Sequence, residues 1–159
     1  MSLFLGTHQN KLDAKGRVSV PASFRAALRK EQSKENNPLI FRPSHKMPCI
    51  EGWPLSIFSE LTNSLNSLDL FSEEHDDIAT TLYAEAWPID SDREGRILLP
   101  DILKEHANLT DAVTFMGLGT IFQIWEPSAA AERCKTARQK VQQKNPSITP
   151  QSNKKRIES

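Results

Sequence analysis

Apolar and polar positions along the chain predict one order of elements that is used twice. THQNKL (7–12) alternates weakly, as a half-exposed strand does. DAKG follows with turn chemistry: Asp13 can bond its own downstream backbone, and Gly16 accepts a positive φ. RVSV (17–20) is β-branched and alternating, and predicts a returning strand. Pro21 then opens PASFRAALRKEQ, where Phe24, Ala27 and Leu28 fall at helical spacing and proline suits the first turn. NPLIFRP (37–43) and CIEGWP (49–54) predict two more short strands.

The second half repeats the order. EAWPIDS leads into the turn DREG, RILL returns, PDILKEHANL is a short helix, and AVTFMG with GTIFQIW predicts a hairpin closed near Gly117–Gly119. Pro88 places EAWPIDS at a sheet edge or bulge. Between the halves, LSIFSELTNSLNSLDLF and EEHDDIATTLYAEA read as helices, with Ile57, Leu61, Leu65 and Leu68 on one face. SAAAERCKTARQKVQQK after Pro127 predicts a terminal helix, and NPSITPQSNKKRIES has too little to bury to be expected to fold.

Composition narrows the class. A repeat of about 45 residues buries too little surface to be stable alone, so two such units in 159 residues are expected to fold against each other. Cys49 and Cys134 are distant and lack metal-binding spacing, which suits a reducing compartment. SLFLGTHQNK has neither the apolar run nor the basic flank of a signal peptide, and no window has the length of a membrane span. The expectation is a soluble intracellular protein. The formal net charge of zero conceals an asymmetry: residues 1–30 carry a net of +5, residues 60–111 a net of −10, and the chain turns basic again after Glu132. Such a split points to an anionic partner for the basic part.

The repeated phrase is DAKGRVSVP, Asp13 to Pro21, and DREGRILLP, Asp92 to Pro100. At this offset of 79, Asp13/Asp92, Gly16/Gly95, Arg17/Arg96 and Pro21/Pro100 are identical, and Val18/Ile97 and Val20/Leu99 are alike. The matching positions set backbone shape, the mark of a repeated fold unit rather than a repeated active site. Asp and Arg four residues apart can hold such a turn shut, and an arginine held by a carboxylate presents its remaining donors in a fixed orientation.

The pattern D-x-x-G-R-[VI]-x-[VL]-P, after a short strand and before a helix, resembles the AbrB-type swapped-hairpin DNA-binding domain. Two copies, with LGTHQNKLDAKGRVSVPASFR early and DREGRILLPDILKEHANLTDAVTFMGLGTIFQIWEP late, are similar to the MraZ family of bacterial transcriptional regulators. The resemblance spans roughly 3–129. It implies a mixed β/α fold with a mainly β core, two repeats exchanging hairpins as a pseudo-twofold double-split β-barrel, and flanking helices. The units would be 5–54 and 86–129, with a helical connector 55–85, a C-terminal helix 130–144 and a disordered tail 145–159. It further implies closed rings of chains and binding to short direct repeats in double-stranded DNA, upstream of a cell-division and cell-wall gene cluster, in the cytoplasm and nucleoid.

Charge ranks the candidate contacts. Lys11, Lys15 and Arg17 gather at the first turn, whereas the second has Glu94 in place of Lys15. Phosphate neutralisation drives affinity, and arginine alone can grip guanine O6 and N7 with two parallel bonds. Arg17 is therefore expected to be the most sensitive, Lys15 and Lys11 next, Arg96 weaker or structural, with Arg93 a further cation. Asp13, Gly16, Pro21, Asp92, Gly95 and Pro100 shape the turns. Arg25 and Arg29, one helical turn apart, could line the same surface but are expected to face solvent. The acidic stretch 71–85 departs from the basic character expected before a second copy.

Other classes fit less well. His8, His45, His75 and His106 show no ligand spacing, EEHDD reads as a wet helix face, His45 with Cys49 lacks an oxyanion site, and no glycine-rich phosphate loop exists. No enzyme activity, cofactor, metal, membrane or small-molecule substrate is expected. An antitoxin with one AbrB-type hairpin and a toxin-binding tail is the nearest alternative, followed by an oligomeric scaffold.

Overall fold

The computed structural model describes residues 3–31, 39–144 and 148; the expected tail at 145–159 and its KKR run otherwise lie outside the described residues. Two units are distinguished, 1–127 and 128–159. In chain order the first contains β1 (Thr7–Lys11), β2 (Arg17–Ser19), α1 (Ala22–Glu31), β3 (Leu39–Pro43), β4 (Ile50–Pro54), α2 (Leu55–Leu65), α3 (Glu73–Ala79) running into a π-helical turn (Thr80–Ala84), β5 (Trp87–Ile89), β6 (Arg96–Leu98), α4 (Asp101–His106), β7 (Ala112–Gly117) and β8 (Phe122–Trp125). The helix α5, Pro127–Lys144, begins at the boundary and runs through residues 128–144 of the second unit. Among the described residues no helix is long and apolar enough to cross a membrane.

The fold is mixed, with a mainly β core. Six strands form one open antiparallel sheet in the order β1-β7-β8-β4-β3-β5, and β2 and β6 form a separate two-stranded ribbon. That order is the same from either end when each strand is exchanged for its counterpart: β1 with β5, β7 with β3, β8 with β4. The register agrees, since the counterparts Val18 and Ile97 pair directly in the ribbon and Glu51 pairs with Gln123 at the sheet centre. A pseudo-twofold axis therefore relates the repeats.

One expectation changes. RVSV is a strand, but it does not return along β1: β1 pairs with β7 and β2 with β6, each from the other repeat. The DAKG and DREG turns are corners that carry the chain from the sheet into the ribbon. A three-residue strand makes too few contacts to be stable as a lone hairpin. Pairing Arg17–Ser19 with Arg96–Leu98 buries Val18 and Ile97 on one face and sets Ser19 and Leu98 outside. Pro88 lies on β5, which is an edge strand, as its missing N–H requires.

The core joins both repeats. Phe4, Phe24, Phe41, Phe115 and Phe122 are buried together, and Phe122 meets the other four at ring distances of 5.0–6.0 Å. In the connector, α2 stops at Leu65, short of the predicted length, where Ser67 Oγ donates to the Ser64 carbonyl at 2.6 Å. Local side-chain bonds of this kind compete with helix continuation. The acidic run has a structural role: Ser72 caps α3 by accepting from the His75 amide at 3.0 Å, and Glu73, Glu74 and Asp76 occupy the first turn, where the helix dipole favours negative charge.

Candidate nucleic-acid interface

Each corner is a carboxylate-centred lock. Asp13 Oδ1 accepts the amides of Lys15 at 2.9 Å and Arg17 at 2.8 Å, while its Oδ2 accepts Arg17 Nε at 2.9 Å. Asp92 repeats the arrangement, with the amides of Glu94 and Arg96 and with Arg96 Nε, all at 2.9 Å. The backbone closes beneath: Gly16 N donates to Asp13 O at 3.0 Å and Gly95 N to Asp92 O at 3.1 Å. Both glycines take the left-handed conformation, at φ 86° and 79°, which a side chain would strain. In both copies the aspartate thus joins the arginine side chain to the backbone of its own turn.

The carboxyls of Asp13 and Asp92 are held below their ordinary value, chiefly by the hydrogen bond from the backbone amide of Arg17 or Arg96. Arg96 is pushed up by its bond to Asp92 and then by the charge of Glu94. That second carboxylate separates the copies. Glu94 Oε2 lies 3.3 Å from Arg96 Nη2, whereas Lys15 stands at the matching position and Arg17 has Asp13 as its one carboxylate partner among the described residues. The Asp13 lock uses Nε and leaves both terminal nitrogens of a 42%-exposed Arg17 side chain outside it. Lys11, Lys15 and Arg93 are exposed; Gly16, Gly95 and Pro21 are buried; Pro100 is half-buried. The prolines also open the helices, since the carbonyl of Pro21 accepts Arg25 N at 2.9 Å and that of Pro100 accepts Lys104 N at 3.1 Å.

The ribbon is antiparallel, so the two corners stand at its opposite ends, and each is met by the helix of the other repeat. Arg25 from α1 lies across Gly95, its Nη1 donating to Glu94 O at 3.5 Å. Lys104 from α4 lies against Gly16, its Nζ 2.9 Å from the place a Cβ would take. This corrects the expectation for Arg25, which is half-buried; Arg29 is exposed, but both face the second corner rather than their own. The offset of 79 equates Arg25 with Lys104, and that correspondence with the exchange of elements was the available signal. Among the described residues no three His, Cys, Asp or Glu side chains group as a metal site.

Comparison with known proteins agrees with this architecture. The family model described as "MraZ protein, putative antitoxin-like" matches residues 3–80 and 82–145. A protein of Gluconacetobacter diazotrophicus named transcriptional regulator MraZ is 62% identical over 143 residues, 90% of each chain. One of the same name from Gluconobacter oxydans is 61% identical over 142 residues, 89% of this chain and 86% of the relative. Another from Rickettsia bellii is 44% identical over 128 residues, 80% of this chain and 83% of the relative. With two matched segments, two matched corners and relatives aligned over most of their length, the chain belongs to the MraZ family.

Proposed function

We propose that this protein is a sequence-specific DNA-binding transcriptional regulator, which acts as a homo-oligomeric ring on short direct repeats upstream of the bacterial cell-division and cell-wall gene cluster. The relatives' shared name supports transcriptional regulation. The observation that carries DNA contact is the oriented Arg17, locked through Nε by Asp13 with its terminal nitrogens outside the lock. A planar guanidinium fixed this way can meet O6 and N7 of a guanine edge, while exposed Lys15 and Lys11 neutralise neighbouring phosphates. Arg96 ranks lower because Glu94 neutralises it, and Arg93 adds charge beside it. The protein works without catalysis, cofactor, membrane or small-molecule substrate, in the cytoplasm and on the nucleoid.

Selection of bound sequences from random duplex DNA, at two salt concentrations, tests the reading. Enrichment of a directly repeated motif is expected. Recovery of random sequence alone overturns it. Co-purification of a stoichiometric small protein in place of promoter DNA transfers it to an antitoxin.

A further inference from the structure

The exchange of helices builds two clefts at corresponding places in the repeats that differ in charge. One, of about 180 Å³, lies between α1 and the second corner and is lined by Arg25, Arg29, Ser91, Asp92 and Arg93 over Leu28 and Gly95. Its counterpart between α4 and the first corner carries Asp13, Ala14, Asp101, Lys104 and Glu105. Among the described residues, three guanidiniums face one carboxylate in the first cleft. In the second, one ammonium faces three carboxylates and is already paired with Asp101 at 2.9 Å. The carboxylate in the basic cleft is Asp92, whose oxygens are occupied by two amides and by Arg96, and the nearby Glu94 side chain is paired with Arg96. The three arginines therefore retain most of their attraction for an outside anion.

We propose that this basic cleft is a phosphate-binding site, and that its ligand is a backbone phosphate of duplex DNA. The inference rests on the DNA-binding reading and deepens it. Guanidinium forks match phosphate oxygens in pairs, and three of them surround one oxyanion better than ammonium groups do. Arg25 and Arg29 come from the first repeat and Arg93 from the second, so the site exists only once the repeats have interlocked. Arg25 is held in place by its half-buried position over Gly95, and Arg29 and Arg93 complete the site from the exposed rim. The division of labour follows: the second corner positions the duplex through phosphate, and the first reads bases through Arg17.

The test uses the full chain carrying Arg29→Ala with Arg93→Ala, both exposed positions, and Lys46→Ala as an exposed control outside the cleft's lining. Binding to one selected duplex is measured across salt, with circular dichroism and light scattering on each protein. Loss of the one phosphate contact lowers the slope of log K against log salt by about 0.9, so the affinity gap to wild type narrows roughly three- to fourfold between about 50 and about 200 mM salt. A slope equal to wild type overturns the site, and so does an equal fall in the Lys46→Ala control. A changed oligomer size with an unchanged slope also overturns it, because the cleft is then a contact between copies. If wild type binds no duplex, the DNA reading fails separately. Inorganic phosphate is then tested for protecting Arg25, Arg29 and Arg93, but not Arg138, from phenylglyoxal. Protection keeps the cleft as a site for free phosphate, and its absence removes the site altogether.

Discussion

Gly52 and Phe122 face each other across β4 and β8, at the seam between the repeats. A Cβ on Gly52 would stand 2.5 Å from Cε2 and Cζ of Phe122 and 2.9 Å from Cε1. The ring cannot swing aside freely, because it is fully buried against Phe4 at 5.0 Å, Phe24 at 5.3 Å, Phe41 at 5.9 Å and Phe115 at 6.0 Å. Gly52→Ala is therefore an overpacking substitution, expected to cost about 1–3 kcal/mol despite the better strand propensity of alanine. Phe122→Ala opens a cavity and costs about 3–5 kcal/mol. In the double variant the new methyl enters vacated space, so the loss falls below the sum, with a coupling of at least about 1 kcal/mol. Equilibrium unfolding in urea at one fixed protein concentration reads all four proteins, since an oligomer's stability depends on concentration. The reasoning is refuted if the two changes add within about 0.5 kcal/mol, or if Gly52→Ala alone is neutral.

Three further outcomes are expected. In a gel-shift titration, Arg17→Ala abolishes specific binding with the fold retained and Arg96→Ala loses less; equal losses remove the ranking based on Glu94. The Asp13 and Asp92 locks contribute stability that is present above the ordinary carboxylate value of 3.8 and is lost as pH falls through the lower folded values. The stability gap between wild type and Asp13→Asn/Asp92→Asn should then close on acidification below about pH 4, and a gap independent of pH contradicts the lock. Arg42 is buried, with Nη1 2.6 Å from Glu51 Oε1 and Nη2 donating to the Thr81 carbonyl of the π-helical turn at 3.1 Å. Glu51→Ala should cost about 3–5 kcal/mol, whereas Arg42→Met with Glu51→Gln is neutral or stabilising. The double change copies Met116 and Gln123 of the second repeat, and Gln123 already accepts Trp125 Nε1 at 2.9 Å as Glu51 accepts Trp53 Nε1 at 3.2 Å. Thermal unfolding separates these cases, and a double variant as unstable as Glu51→Ala sinks the comparison.

The site was half legible before any coordinates. Asp13, Gly16 and Arg17, with their counterparts, are neighbours in sequence, so spacing alone predicts the lock that the hydrogen bonds complete. The basic cleft was not legible, because Arg25 and Arg93 come from different repeats and meet only across the exchanged ribbon. The helix α2 ends before its apolar period does for a local reason, the competition of Ser67 with helix continuation, which an apolar period does not register.

By itself, the sequence determined the elements, the duplication, the conformation of each corner and the segregation of charge, since these follow from side chains within a few residues of one another. Tertiary structure alone decided which strands pair, which helix covers which corner and where the arginines of the basic cleft gather. Those outcomes depend on burial across the pseudo-twofold axis: short strands such as β2 and β6 gain enough buried surface only by pairing with the opposite repeat, and no local pattern records that choice.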